Sequence, residues 1–388
     1  MGGVALAVVV LAGLESIPGV FGHDQAALSA EIVASDAAAA ASKIDPFGHD
    51  TSMEPCADLE STFGVDNHLF KNRRFGFYAS VWPSYQALSA LYVTSLFPGE
   101  SACSTAFGES LQAVDDNYWS PSLPGVLGAY DQGPSAFHFT SDLPRVDDSL
   151  WMGLAIMQQY SRTRDPALLE RAEEVFSLAQ GNWARGIGGI YWEATGATNH
   201  ARTVVSNAPA AILGVELFRQ TGNVSYLRWS EMIVAWLNAE LRDPATGLFD
   251  DNIDGNGGRT SLDTTKYTYT QGMMVGAMTV LSTVDPTNYP IRDALELTER
   301  SMAYFDAHRS YGEPGFDLIW AENILWTAGL YKKAAFTTET RSAVMRALAA
   351  EPKSRGDLLT ASSETALREL AKLPPDQYDK LLYVIPDS

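Results

Sequence analysis

A helix–turn–helix pattern recurring about every sixty residues constrains this chain more than any single motif. It reads Tyr160-Ser-Arg-Thr163-Arg-Asp165-Pro, then Phe218-Arg-Gln-Thr221-Gly-Asn, then Leu281-Ser-Thr283-Val-Asp285-Pro, with threonines 58 and 62 residues apart. Asp-Pro and Gly-Asn punctuate the turns, and proline suits a first helical position because its missing N–H would be unpaired there anyway. The preceding helices carry apolar residues at helical spacing: Leu150, Leu154 and Met157 in one copy, Ile212, Val215, Leu217 and Phe218 in the next. Strand-like alternation is confined to short pieces such as residues 189–192. Six such hairpins account for residues 24–372 and predict an all-α fold, an (α/α)6 barrel that closes as a toroid of six helical hairpins. An open α-solenoid would repeat in the same way. The closed form is favoured because the glycine- and aromatic-rich segments all fall between hairpins, where closure gathers them at one cleft.

Composition narrows the function classes. Apolar residues make up 46% and charged residues 19%, enough for a large core and incompatible with wholesale disorder. A formal net charge of −20 argues against nucleic acid or an anionic membrane as partner, since both demand clustered Lys and Arg. Nine tryptophans suit a sugar-binding cleft, and equally an ordinary large core.

Residues 4–14 (VALAVVVLAGL) form an apolar run of signal-peptide length, too short to span a membrane, although no Lys or Arg precedes Lys43. A buried N-terminal helix or strand is the alternative. Residues 1–23 are therefore expected to be a leader, residues 373–388 a C-terminal tail, and the protein a secreted monomer with no membrane span. Cys56 and Cys103, 47 residues apart, could form one disulfide in an exported chain, but nothing in the sequence fixes their pairing. No CxxC or Cys/His cluster offers a structural zinc site, and no metal or cofactor is expected.

Three Asp-Asp pairs stand out: Asp115-Asp116, Asp147-Asp148 and Asp250-Asp251. Such a pair ordinarily caps a helix. Asp147-Asp148 opens the most amphipathic helix of the chain, where one acid would suffice to cap and the second adds like-charge repulsion. Adjacent carboxyl groups can lie near the roughly 5–5.5 Å separation used by retaining glycosidases, with repulsion making one an acid and the helix N-terminus keeping the other ionised. The Asp115 pair is followed by Pro121 and Pro124, which interrupt a long helix.

Asp250, Asn252, Asp254 and Gly255 match the first half of an EF-hand loop, but Ser261 stands where its bidentate glutamate belongs, so a polar turn is the better reading. Serine and cysteine nucleophiles lack support: there is no G-x-S-x-G elbow, and His23, His49, His68, His138 and His200 have no obvious partner. HExxH, P-loop and GxGxxG motifs are also missing from the sequence.

Five segments in order resemble glycoside hydrolase family 76, the endo-α-1,6-mannanases. They are Asp147-Asp148-Ser-Leu-Trp151, Gly188-Gly-Ile-Tyr-Trp192, Thr203-Val-Val-Ser-Asn207-Ala-Pro-Ala210, Gly247-Leu-Phe-Asp-Asp251 and Tyr267-Thr-Tyr269-Thr-Gln271-Gly272. The resemblance covers residues 145–330 and implies the (α/α)6 barrel together with retaining hydrolysis of α-1,6-linked mannose. It places the nucleophile at Asp147 and the general acid/base at Asp148. The sequence departs from the family pattern at Thr270, where asparagine is usual.

The expected substrate-binding residues are Trp151, Trp192, Asn207, Asp251, Tyr269 and Gln271, with α-mannan or a mannose-containing glycan as partner. From the residues alone, Trp192 could equally pack in the core, Asn207 cap a helix, and Tyr269 and Gln271 merely open one. Gly272 would permit close backbone approach. Two other functions remain open: transglycosylation on the same fold, and a helical toroid that binds glycan without turnover.

Overall fold

The computed structural model describes residues 55–65, 67–73, 76–123, 126–134, 143–196, 199–255, 261–351 and 356–382. The expected leader, residues 24–54 of the expected barrel segment, His23, His49 and His138 lie outside the described residues.

Twelve described α-helices build the fold: α1 (Pro55–Phe63), α2 (Val81–Thr94), α3 (Ser101–Tyr118), α4 (Val146–Thr163), α5 (Pro166–Gly181), α6 (Val204–Thr221), α7 (Val224–Glu240), α8 (Thr268–Ser282), α9 (Ile291–His308), α10 (Phe316–Tyr331), α11 (Ala334–Ala350) and α12 (Leu358–Lys372). The even-numbered helices touch in ring order, and α12 returns to α2, so the ring closes and the open solenoid is excluded. The odd-numbered helices fill the outside, each packed against its ring neighbours.

Residue patterning explains which helices lie inside. In α8, every residue from Thr270 to Ser282 is buried, and the helix has no charged side chain. Such a helix is apolar all round and belongs in a core. In α9, burial is limited to Ala294, Leu295, Leu297, Thr298, Ser301, Met302 and Phe305, a single stripe opposite charged residues. Close packing of the inner ring needs small residues: a Cβ at Gly272 would stand 2.5 Å from Trp320 Cα in α10, the close approach expected at that glycine.

The six hairpins are not all consecutive. Five are, but the sixth inner helix, α12, finds its outer neighbours in α11 and α1, the latter from the other end of the described chain. The Cys56–Cys103 disulfide fastens α1 to α3 and so helps hold this seam.

Residues 373–382 depart from the expected tail. A 3₁₀ helix (Pro375–Lys380) packs against α10, with Leu373, Tyr378, Leu381 and Leu382 buried, and Tyr92 donates to the Lys380 carbonyl at 2.9 Å. The reason is apolar: this segment plugs one end of the barrel. Between this segment and the inner helices, a cavity of about 10 Å³ is lined by Tyr85, Leu154, Gln158, Met273, Glu322 and Leu382. The interior of the described ring is a packed core.

Among the described residues, strand structure consists of short pieces between helices: β1 (Trp119–Leu123) paired antiparallel with β2 (Val126–Tyr130), and a three-stranded sheet of β3 (Arg202–Thr203), β4 (Asn252–Asp254) and β5 (Ser261–Asp263). Residues 189–192 contribute only a bridge between Ile190 and Trp183. These pieces lie just before the inner helices α4, α6 and α8, on the rim where those helices begin.

Candidate active site

Asp147 and Asp148 are the second and third residues of α4, and neither caps it. The N-cap is Arg145, whose side chain makes no capping bond, and both carboxyl groups are buried, at 9% and 6% exposure. Neither acid therefore occupies the capping position.

Each acid has its own donor. Trp192 Nε1 donates to Asp147 Oδ2 at 3.0 Å, and Gln132 Nε2 donates to Asp148 Oδ2 at 2.6 Å. Asp147 Oδ1 is buried and meets no well-aligned donor among the described residues, although the backbone amides of Asp147 and Asp148 at the start of α4 favour the ionised carboxyl. Burial pushes the Asp147 carboxyl well above the ordinary carboxylate range, and the charge of Asp148 adds to this. Burial also pushes Asp148 up, to about 6, against the opposing effects of the Gln132 amide and the Arg145 guanidinium. Because the two buried carboxyls belong to adjacent residues, ionising one opposes ionising the other.

Trp192 is clamped on three sides. Its carbonyl accepts from Val146 N at 2.8 Å, its indole holds Asp147, and the Arg145 guanidinium lies 4.4 Å from its ring centroid. Arg145 is in turn paired with Glu193 at 2.8 Å. The half-buried Trp192 is therefore an orienting group for the acid pair as well as a partly exposed ring.

A scaffold repeated three times positions the rim. The fourth residue of α4, Ser149, accepts a hydrogen bond from Tyr130 N at 3.1 Å. The fourth residue of α6, Asn207, accepts from Ile190 N at 2.8 Å and donates to Ile190 O at 3.1 Å. The fourth residue of α8, Gln271, accepts from Phe249 N at 2.8 Å and donates to Phe249 O at 2.9 Å. In each case the gripped residue lies two positions before a side chain of the site: Gln132, Trp192 and Asp251.

This geometry corrects three expectations. Asn207 and Gln271 are fully buried, with both ends of each amide bonded to backbone, so neither is free to meet substrate. Trp151 is 1% exposed and packs on Tyr85 and Trp82, with ring centroids 5.5 and 5.9 Å away; it lies beneath the site, because the sixth position of α4 has already turned into the core.

Asp251 and Tyr269 do reach the rim. Asp251 accepts from Asn252 Nδ2 at 2.9 Å and Thr270 Oγ1 at 3.3 Å, and burial raises its carboxyl. Threonine at the position where the family usually carries asparagine is thus turned to that acid. Tyr269 stacks on Phe316 with centroids 3.7 Å apart and planes 6° from parallel. Tyr267 and Trp82 meet the same Phe316 ring at 5.6 and 6.1 Å, forming a half-buried aromatic wall. Phe316, Trp82 and Gln132 were missed in the sequence. A signal existed for one of them: Trp82, like Asp147 and Tyr269, is the second residue of an inner helix.

Asp250 and the Asp115-Asp116 pair are structural. Asp250 and Asp243 both bind Lys266, and Asn252 is committed to Asp251, so the EF-hand-like register does not gather. Asp115 takes Arg171 at 2.9 Å and the Tyr130 hydroxyl, while Asp116 accepts from Gln112 within α3.

The site is thus two buried, adjacent, individually held carboxyl groups beside an aromatic wall, on the rim of a six-hairpin barrel. Residues 130–331 match the model of glycosyl hydrolase family 76, and the chain belongs to that family. It is similar to mannan endo-1,6-alpha-mannosidase DCW1 of Eremothecium gossypii, 27% identical over 143 residues that cover 33% of this chain and 32% of that protein. DCW1 of Candida glabrata is 25% identical over 208 residues, covering 50% of this chain and 43% of that one. The chain spans less than half the length of these relatives.

Among solved structures, it resembles an inactive variant of the α-1,6-mannanase GH76A of Salegentibacter sp. HEL1_6 in which two adjacent aspartates are asparagine, in complex with α-1,6-mannotriose. The TM-score is 0.66 at 19% identity, over 82% of this chain and 97% of that one. The GH76 α-mannanase BT2949 of Bacteroides thetaiotaomicron gives 0.69 at 17% identity, over 86% and 98%. These likenesses show the fold.

Proposed function

We propose that this chain is an exported enzyme, acting as a monomer, that hydrolyses α-1,6-mannosidic linkages in mannan-type glycan with retention of configuration. The observation that carries this reading is the buried Asp147-Asp148 pair, each acid held by one N–H donor. The relatives named above as mannan endo-1,6-α-mannosidases, and the neighbouring mannanase inactivated at two adjacent aspartates, support the same assignment.

In the first step the pair carries one proton, on Asp148: the ionised Asp147 attacks the anomeric carbon while Asp148 gives that proton to the departing glycosidic oxygen, leaving a mannosyl ester on Asp147. Trp192 fixes one Asp147 oxygen, and the oxygen without a well-aligned donor is the one left to form the bond. In the second step Asp148, now ionised, takes a proton from water as the water oxygen bonds to the anomeric carbon and the ester bond to Asp147 breaks, which frees the mannosyl chain with its original configuration. A carboxyl near 6 suits both duties. Export is supported by the disulfide, since such bonds persist in oxidising compartments. Among the described residues no helix is long and apolar enough to cross a membrane.

Incubation with linear α-1,6-mannan should release reducing ends, and both Asp147→Asn and Asp148→Asn should abolish that release. No release by the wild type, or full activity in both variants, overturns the reading. Products longer than the starting oligosaccharide would replace hydrolysis by transfer.

A further inference from the structure

We propose that Gln132 is a positioning residue for Asp148, fixing which of its two oxygens carries the proton that is handed to the leaving group. This inference rests on the reading of Asp148 as general acid/base. Gln132 lies outside the five ordered segments that suggested the site, and it follows β2 in the loop that enters the acid helix.

The carboxyl of an acid/base residue is protonated and ionised in turn during each reaction cycle. An oxygen that accepts a short hydrogen bond from a neutral amide is a poor seat for a proton, because that lone pair is already engaged. With Gln132 Nε2 at 2.6 Å from Oδ2, the proton is directed to the other oxygen of Asp148 in every cycle. A side chain that is never charged can hold this contact in both protonation states.

The loop is built to keep Gln132 in place. Tyr130 N donates to Ser149 Oγ, Asp131 N donates to Tyr118 O at 2.9 Å, and the Tyr130 hydroxyl binds Asp115. Ser120 holds the Asp131 carboxylate. Gln132 thus occupies the same offset from its helix grip as Trp192 and Asp251 do from theirs, and Trp192 performs the matching service for Asp147. The charged and titratable groups around the pair are Asp147 on α4 itself, Arg145 before it, and Tyr269 and Asp251 on the side of α8. Arg145 is already engaged by Glu193, so the amide is the donor specific to Asp148.

The test compares wild type with Gln132→Met, which keeps the bulk without the N–H, and Gln132→Ala. Two α-1,6-mannobiosides serve as substrates: one extended by mannose, whose departure needs a proton, and one carrying 2,4-dinitrophenol, whose departure does not. Both variants should lose about ten- to hundredfold in kcat/KM on the mannose-linked substrate. The dinitrophenolate burst, which reports the first step alone, should change less than about threefold. The alkaline limb of the pH profile should move upward, because loss of the donor favours the protonated carboxyl. Equal losses on both substrates with an unmoved limb would mean a merely structural role, and unchanged activity would also overturn the proposal. If the wild type turns over neither substrate, the hydrolase reading itself falls and takes this inference with it.

Discussion

Gln271 closes a two-way clasp on Phe249, accepting from its N–H at 2.8 Å and donating to its carbonyl at 2.9 Å. Asn207 closes the same clasp on Ile190 one hairpin earlier. Both amides are wholly buried, so replacing either by an apolar side chain strands two backbone groups, each worth about 1–3 kcal/mol. Gln271→Leu should therefore lower stability by a few kcal/mol and depress kcat, through displacement of Asp251. Urea unfolding beside mannan kinetics checks this; a variant of normal stability with a raised KM alone would instead place Gln271 on the substrate.

Trp192→Phe keeps an aromatic ring but removes the N–H held on Asp147. With that donor gone, the Asp147 carboxyl rises further and is ionised less readily. The expected result is a kcat loss of about ten- to hundredfold with the acid limb of the profile moved to higher pH. Initial rates between pH 3 and 8 would reveal it.

Activity on mannan should fall as pH rises through about 6, where Asp148 loses the proton it must donate. In Asp148→Gly, exogenous azide should restore turnover of an activated substrate without that alkaline fall. Wild-type activity that is flat from pH 5 to 8 would contradict the assignment.

Stability carries its own pH dependence. Glu322 lies fully buried on α10 against the Ser89 hydroxyl, and burial raises its carboxyl from 4.5 to about 7. A group whose folded value is raised contributes stability that is complete below its unfolded value and lost as pH climbs through the folded one. Glu322 should therefore cost the fold roughly 3 kcal/mol between pH 4.5 and 8. Glu351, raised to about 7, and Asp317, raised to about 6, act in the same direction. The melting temperature should be higher at pH 5 than at pH 8, and Glu322→Gln should flatten that slope.

The Cys56–Cys103 disulfide closes a span of 47 residues and ties α1 onto the outer ring. The loop-entropy relation gives about 4 kcal/mol for a closure of this size. Cys56→Ser with Cys103→Ser should lower the melting temperature by several degrees, while leaving KM for mannan unchanged because the disulfide joins two outer helices and the acid pair is on an inner one.

Local chemistry made the repeat readable. The turns after Thr163 and Thr221 and the stripe Leu150, Leu154, Met157 follow from proline, glycine and apolar spacing, and these marked α4 to α7 without any tertiary information. The acid pair was legible for the same reason, since two adjacent aspartates at a helix start exceed what capping needs. The pairing of α1 with α12 was not legible, because contact between the two ends of the described chain leaves no local signature. Nor did residue type separate Trp192 from Trp151, or Asp251 from Gln271. Whether an aromatic or an amide faces the rim or the core depends on where its helix turn meets its neighbours in the ring. Sequence alone determined the helical period and the location of the carboxyl pair. Only the closed ring decided that Asn207 and Gln271 grip backbone, that Trp151 lies beneath the site, and that Gln132 holds Asp148.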